Sequence, residues 1–93
     1  MILLIAYDLS NPSRDYDDVM ETIQSAGSGK WTHAQDSVWL IDTTESTRDW
    51  RTKLRNAGDD DDTFFVTRLK HDCAWRNLST SSASWIKSSD RTW

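Results

Sequence analysis

The sequence predicts an α+β fold in which two helices cover one face of a four-stranded antiparallel sheet. The first observation is the order of its patterned segments, which runs strand, helix, strand, strand, helix, strand. The second is the opening segment, because residues 2–9 are apolar except for Asp8 and are too few for a helix of this hydrophobicity. Such a segment is typical of a buried central strand, so the other elements are expected to pack around it.

The first helix is predicted over residues 15–26, after a turn in which Pro12 fixes the backbone. Ser13 or Asp15 is expected to cap its start, and Gly27 follows its end, where a left-handed residue is favoured. The apolar residues at helical spacing, which are expected to pack on the sheet, are Tyr16, Val19, Met20 and Ile23.

Two short segments, residues 30–34 and 37–42, are separated by Gln35-Asp36 and predict an antiparallel hairpin. A second helix is predicted over residues 46–57. Ser46 is expected to be its N-cap, because Asp49 follows three residues later, and Gly58 closes it.

The fourth strand is predicted at residues 63–69, followed by a polar, serine-rich segment with one short helix near residues 82–87. Residues 1–70 are therefore expected to form the sheet domain. Residues 71–93 are expected to be an extension that packs on this domain or on a partner subunit.

This order of elements is the split βαβ, or ferredoxin-like, βαββαβ arrangement, which leaves the sheet face away from the two helices open. Both faces of the first and third strands are apolar, and Ile2, Leu4, Trp39 and Ile41 are assigned to the open one. Because these side chains cannot all remain in water on so small a domain, we expect a homodimer through the open face.

The composition limits the classes of function. Asp and Glu number 15 against 11 Lys and Arg, which argues against a non-specific nucleic-acid binder. The single cysteine, Cys73, excludes an intrachain disulfide, and the first apolar segment lacks the basic flank and cleavage site of a signal peptide. No apolar stretch reaches the roughly 20 residues needed to cross a bilayer. A cytoplasmic protein without a membrane partner is expected.

The motifs YDLS at residues 7–10 and QDSVW at residues 35–39 resemble those of the second Cas protein of the CRISPR adaptation complex. More closely, the chain resembles short stand-alone relatives called SinR-like, on six motifs in order across roughly residues 2–79. The shared motifs are Tyr7-Asp8-Leu9 with Pro12, Asp15-Tyr16, Trp31-Thr32-His33, Ser37-Val38-Trp39, Phe65 to Leu69, and Ala74-Trp75. The resemblance implies a ferredoxin-like homodimer. Members of the Cas family include metal-dependent nucleases and proteins that only scaffold.

Asp8 is the first candidate functional residue, because a carboxylate at the end of a buried strand must be paired, hydrogen-bonded or bound to a metal. Two copies of Asp8 at a twofold axis are expected to share a Mg²⁺ ion, since hard oxygen ligands suit that metal. The alternative is that Asp8 caps the turn that follows it.

His33 and Ser37 are predicted to face the same open side as Asp8, together with Trp31 and Trp39. A neutral histidine in such a pocket is suited to general acid or base chemistry, and a serine to hydrogen bonding with a phosphate. The alternative for His33 is a packed histidine with its hydrogen bonds satisfied.

The remaining candidates are expected to bind a ligand. Arg48, Arg51 and Arg55 form a basic stripe suited to phosphates, although a solvated helix face has the same pattern. Four tryptophans are expected to be free to stack on a base, namely Trp31, Trp75, Trp85 and Trp93, whereas Trp39 and Trp50 are expected in the core or an interface. Tyr7 of the YDLS motif completes the predicted binding set.

Three functions are compatible with these residues. One is a dimeric, Mg²⁺-dependent phosphodiesterase or nuclease that uses Asp8, His33 and Ser37. Another is a non-catalytic module that binds a nucleotide through aromatic residues and arginines, for example to sequester a signalling nucleotide. The third is an interaction subunit of a larger complex, docked through the tail and the open edges of the sheet.

Overall fold

The computed structural model describes residues 1–11 and 16–93, which form one antiparallel sheet and the helices around it. The strands are β1 (Ile2–Asp8), β2 (Trp31–Gln35), β3 (Val38–Asp42) and β4 (Thr63–Leu69), and the helices are α1 (Asp17–Gln24), α2 (Thr47–Ala57) and α3 (Thr80–Lys87). The sheet order is β2-β3-β1-β4. The predicted α+β class and four-stranded antiparallel sheet are confirmed, and the arrangement is compatible with a ferredoxin-like fold.

The register of β1 fixes which side chains share a face of the sheet. Leu3 lies opposite Ile41, and Ile5 lies opposite Trp39. Directly opposed residues in an antiparallel pair point to the same face, so these four side chains lie together. Tyr7 follows Ile5 on the same face of β1.

The first core lies between this face and helices α1 and α2, and we call this side of the sheet the helix face. Its fully buried side chains from the helices are Val19 and Ile23 of α1 and Trp50 and Leu54 of α2. In both helices these apolar residues are four apart, which places them on one stripe. The spacing of apolar residues in the sequence is therefore what holds both helices on the sheet.

The opposite side of the sheet, which we call the tail face, has a second and smaller core. Ile86 of α3 packs against Ile2 and Leu40, and partly buried side chains surround the three, among them Leu4, Leu69, Leu78, Trp85 and Trp93. The prediction that placed Trp39 and Ile41 on this face is wrong. The reason is the register, which turns both residues toward the helices.

The predicted elements agree closely with the observed ones at several points. Ser46 is the N-cap of α2, and its hydroxyl accepts a hydrogen bond from the backbone N–H of Asp49 at 3.1 Å. Gly27 has a φ of 123°, a left-handed value that suits glycine, shortly after α1. The predicted turn at Pro12 and the predicted helix start at Ser13 or Asp15 lie outside the described residues.

The β2–β3 hairpin contains an irregularity that the sequence did not predict. The register shifts between His33 and Gln35, as in a β-bulge, and the turn occupies the two residues after Gln35.

Within residues 1–11 and 16–93, no helix has the length and apolar character needed to span a membrane.

Asp62 joins the turn before β4 to the end of β1 and the start of α1. Its Oδ1 accepts hydrogen bonds from the backbone N–H of Ser10 at 2.8 Å, from the Ser10 hydroxyl at 3.0 Å and from the Tyr16 hydroxyl at 3.0 Å. Its Oδ2 accepts one from the backbone N–H of Asp59 at 2.7 Å. Burial works to raise the pKa of this carboxyl, but the hydrogen bonds outweigh it and lower the pKa to about 2.

This network predicts a pH-dependent contribution to stability. Because the pKa of Asp62 is lower when folded than the usual value of about 3.9, its contribution is full above about pH 4 and is lost as the pH falls toward 2. Asp62→Asn should lower the free energy of unfolding at neutral pH by about 1 kcal/mol, since the site is partly exposed.

Denaturant titrations over a pH series measure this effect, and Asp61→Asn is the matched control. Asp61 is exposed and loses the same charge on substitution. The two variants and the wild type should converge in stability at low pH. Equal losses at neutral pH in both variants would show that charge, and not the Asp62 network, stabilises this turn.

Candidate functional site

A groove of about 480 Å³ lies on the tail face, and its lining includes Trp75, one of the predicted binding residues. Its floor consists of Leu4 of β1, Val38 and Leu40 of β3, and Leu69 of β4. The sheet registers place Leu4 opposite Leu40 and Ile2 opposite Leu69, so alternation along the strands turns these side chains to one face. We call this site the tail-face groove.

The walls of the tail-face groove come from the C-terminal part of the chain. They consist of residues 73–76, Leu78, Ile86 and Trp93, with Ala34 and Gln35 at the β2 end. Trp75 is 37% exposed although it is a large aromatic residue, and it borders the groove. An indole that is not fully packed beside an apolar floor offers a surface on which a planar ligand can stack.

Cationic groups surround the aromatic wall. Arg76 lines the groove, and the Nζ atom of Lys87 lies 5.7 Å from the centre of the Trp75 ring. Trp93 is stacked on His71 with the ring centres 5.0 Å apart. The tail-face groove therefore combines an apolar interior with positive charge at its rim, an arrangement suited to an anion with a flat apolar body.

A buried carboxylate anchors the C-terminal wall. Asp42, at the end of β3, accepts hydrogen bonds from the backbone N–H of Thr92 at 2.9 Å and from the Thr92 hydroxyl. Burial works to raise the pKa of Asp42, but the bonds from Thr92 and nearby positive charge outweigh it and hold the pKa below its ordinary value. Arg68 donates to the carbonyl of Trp93 at 3.0 Å. These contacts hold Trp93 at the groove.

Asp8 lies at the exposed end of β1 on the tail face. It borders a depression of about 280 Å³ together with Ser37, Val38, Thr63 and Phe65. The described part of the chain has no group of three or more His, Cys, Asp or Glu side chains that could hold a metal ion. One carboxylate with hydroxyl neighbours is too few ligands for Mg²⁺, so a site at Asp8 needs a second copy or substrate phosphates.

His33, Trp31 and Trp39 do not lie on the same side of the sheet as Asp8, and the prediction that grouped them is wrong. Trp31 is paired with Ile41 and His33 with Trp39, which places all three on the helix face. The His33 ring stacks on the Trp39 indole with the ring centres 3.9 Å apart, and its Nε2 lies 3.1 Å from the carbonyl oxygen of Asp36. His33 therefore stacks on a core tryptophan and contacts the turn, but its side chain remains exposed on the helix face.

Trp31 and Trp39 contribute to the core rather than to a binding surface. Trp39 is 3% exposed, and Trp31 packs against it with the ring centres 5.4 Å apart. The prediction that Trp31 is free to stack on a base is therefore not supported by its position. Trp39 was predicted to lie either in the core or in an interface, and it lies in the core.

Tyr7 is buried, so it is not available to a ligand in this structure. Its hydroxyl accepts a hydrogen bond from Trp39 Nε1 at 3.0 Å and lies 3.3 Å from the carbonyl oxygen of Asp36. Burial raises the pKa of Tyr7; the Trp39 hydrogen bond opposes this shift and the charge of Asp36 adds to it. Tyr7 fixes the hairpin turn against the core.

Trp85 is also held by structural contacts, contrary to the prediction that it is free to stack on a base. Its Nε1 donates to the carbonyl of Gly29 at 2.9 Å, and the Arg91 guanidinium lies 4.2 Å from its ring centre. This tryptophan joins α3 to the turn before β2. Of the four tryptophans predicted to be free, Trp75 and Trp93 are the two that line the tail-face groove.

Arg48 and Arg51 are exposed on α2 and line a separate groove of about 290 Å³. The other residues of this groove are Thr47 and residues 64–66 of β4. Arg55, the third arginine of the predicted stripe, is exposed but does not line it. The sequence therefore identified the two arginines of this groove. It did not predict that they lie beside residues 64–66 of β4.

Sequence reasoning did not select Arg76 or Lys87, which accompany Trp75. The available signal was local, because Arg76 directly follows Trp75 in a segment that is otherwise polar. Lys87 becomes a neighbour only when α3 packs on the sheet.

No known protein family model matches this sequence. The positions of Trp75, Arg76 and Lys87 are therefore the features of the molecule that point to a ligand.

The tryptophan contacts predict different effects of two matched substitutions. Trp85→Phe should lower the free energy of unfolding by about 1 kcal/mol, since it removes the hydrogen bond to Gly29. Trp75→Phe should change it by less than about 0.5 kcal/mol, because Trp75 is 37% exposed and its ring borders the groove rather than the core. Denaturant unfolding measures both values, and a larger loss at Trp75 would contradict this assignment.

Proposed function

We propose that this protein is a nucleotide-binding module with a ferredoxin-like fold, and that the ligand occupies the tail-face groove. The observation that carries the proposal is the meeting of Trp75, Trp93 and Arg76 around one apolar floor. A nucleotide has a flat base that stacks on indole rings and phosphates that bind arginine.

The size and charge of the site support a small ligand. A volume of about 480 Å³ lies in the range of about 300–1,000 Å³ typical of small-molecule sites. The chain has a net charge of −4, so a long polyanion would meet repulsion beyond the few cations at the rim. A mononucleotide or cyclic dinucleotide needs positive charge only near its phosphates.

The arrangement of the sheet supports the ferredoxin-like part of the proposal. The order β2-β3-β1-β4, with α1 and α2 on one face, is the order expected of two interleaved βαβ units. We also propose that the chain is related to the second Cas protein and its SinR-like relatives. Proteins that share a fold can differ in activity, so we base the proposed function on the groove and not on the resemblance.

Calorimetry against mononucleotides, cyclic dinucleotides and short oligonucleotides tests the binding proposal. Trp75→Ala should weaken binding by about 1–3 kcal/mol, because it removes a stacking surface. Trp75→Phe should retain part of the affinity. Arg76→Ala should weaken binding to phosphorylated ligands more than binding to nucleosides, and Arg55→Ala, on the exposed face of α2, is the matched charge control.

Salt dependence separates a pocket from a nucleic-acid track. Binding through one or two phosphates should change little between about 50 and 200 mM salt, whereas a track with six or more contacts loses about a thousandfold or more. Binding restricted to oligonucleotides, with a steep salt slope and no response to Trp75→Ala, would exclude the pocket. Mass spectrometry of small molecules released from the purified protein identifies a native ligand directly.

The second candidate is a dimeric, Mg²⁺-dependent phosphodiesterase, and the position of Asp8 favours it. Asp8 and Ser37 border one depression beside Phe65, which is 61% exposed. A second copy that covers Phe65 would bring two Asp8 carboxylates together, and they would hold the metal that polarises a phosphate. Because His33 lies on the helix face, Ser37 is the nearby residue left to orient the phosphate.

Asp8→Asn tests this second candidate. It should abolish Mg²⁺-dependent cleavage of a nucleic-acid or dinucleotide substrate and leave the thermal midpoint within a few degrees. Asp36→Asn is the matched control, since Asp36 is exposed in the adjacent hairpin turn. Light scattering should show a dimer that Phe65→Asp disrupts. Cleavage that survives Asp8→Asn, or a monomer at micromolar concentration, would contradict the enzymatic proposal.

A further inference from the structure

The two outer edges of the sheet differ in how they are covered. Along β2, α3 packs against the edge, and the Ser82 hydroxyl donates to the outward carbonyl of His33 at 3.4 Å. Next to it, the carbonyl of Gly29 accepts from Trp85 and from Arg91. Side chains of the C-terminal part of the chain therefore bind two carbonyl groups at this edge, one in β2 and one just before it.

The edge of β4 has no comparable cover among residues 1–11 and 16–93. The backbone N–H of Tyr7 donates to the carbonyl of Ser37, so odd-numbered residues of β1 point their backbone groups toward β3. Even-numbered residues of β1 therefore bond to β4, at positions 63, 65, 67 and 69. It follows that the N–H and C=O groups of Phe64, Val66 and Arg68 point outward, away from the sheet.

Arginines flank this edge on one side of the sheet. Arg48 and Arg51 of α2 line the groove of about 290 Å³ that runs beside Phe64, Phe65 and Val66. Within the described ranges two cations form ion pairs: Lys53 with Glu45, and the amino group of Met1 with Asp42. Neither Arg48 nor Arg51 is among them. On the other side of the sheet, Phe65 presents a ring that is 61% exposed.

We propose that the β4 edge binds an extended acidic segment of a partner protein, which adds to the sheet as a fifth strand. The outward backbone groups supply main-chain hydrogen bonds, as in other cases of β-strand addition. Side chains of the segment alternate between the two faces, so acidic residues meet Arg48 and Arg51 while apolar residues meet Phe65.

The same charges argue against a second copy of this chain as the occupant. A twofold pairing of β4 with its copy would bring Arg48 and Arg51 of both chains beside one junction, where like charges repel. The proposal is independent of nucleotide binding, because the tail-face groove and the β4 edge share none of their lining residues.

The test uses a fluorescent peptide as long as β4 in which glutamate and valine alternate. Fluorescence anisotropy should show binding to the whole chain, and hydrogen exchange should show slower exchange at the amides of Val66 and Arg68 when the peptide is present. A peptide in which lysine replaces glutamate is the charge control, and one with proline at alternate positions lacks the N–H groups for pairing.

Variants of the protein separate the two contributions. Arg48→Glu with Arg51→Glu should weaken binding about tenfold or more, whereas Arg55→Glu, outside the groove, should have little effect. Val66→Pro removes an outward backbone N–H without removing a hydrogen bond to β1. Val66→Thr is the control, because it keeps this N–H and has a side chain of similar shape to valine. Thermal midpoints of all variants verify folding.

Three outcomes would overturn the proposal. The first is that the glutamate and lysine peptides bind equally well. The second is equal binding to the Val66→Pro and Val66→Thr variants when both are folded. The third is that an oligonucleotide displaces the peptide through Arg48 and Arg51, while hydrogen exchange at the β4 amides stays the same with and without the peptide. That result would assign the two arginines to phosphate binding.

Discussion

The burial of β1 on both faces is the constraint on which the rest of the structure depends. Ile2, Leu3 and Ile5 are fully buried, yet neighbouring side chains of one strand point to opposite sides of the sheet. Each side therefore needs its own cover. Helices α1 and α2 cover the helix face, and α3 with the last residues covers part of the tail face. The second cover is incomplete, and the tail-face groove forms where it ends.

Two carboxylates at turns hold the chain segments that shape this arrangement. Asp62 gathers four hydrogen-bond donors, which join the turn before β4 to the residues after β1 and the start of α1. Asp42 binds Thr92 and so keeps Trp93 at the groove. In both, hydrogen bonds to the ionised form outweigh desolvation and lower the pKa. The ionised form of Asp62 therefore stabilises the turn before β4, and that of Asp42 stabilises the C-terminal wall of the proposed ligand site.

The two proposed binding surfaces use different parts of the same sheet. The tail-face groove is an apolar floor with aromatic walls, and it suits a small ligand whose affinity comes from stacking. The β4 edge offers backbone groups beside arginines, and it suits an extended chain. The two proposals are compatible with each other, because the two surfaces share none of their lining residues. Asp8 lies on the tail face at the end of β1, where it is exposed.

The sequence by itself determined the elements and their order, because local signals specify them. The segment TFFVTRL, rich in aromatic and β-branched residues, defined β4 as residues 63–69, and Ser46 with Asp49 defined the start of α2. The sequence also identified Trp75, Arg48 and Arg51 as exposed candidates, since their neighbours are polar. Only the tertiary structure decided which residues share a face. Alternation within a strand shows that two sets of side chains oppose each other, but strand register decides which set meets the helices. That register placed His33, Trp31 and Trp39 opposite Asp8, and packing of α3 brought Lys87 beside Trp75.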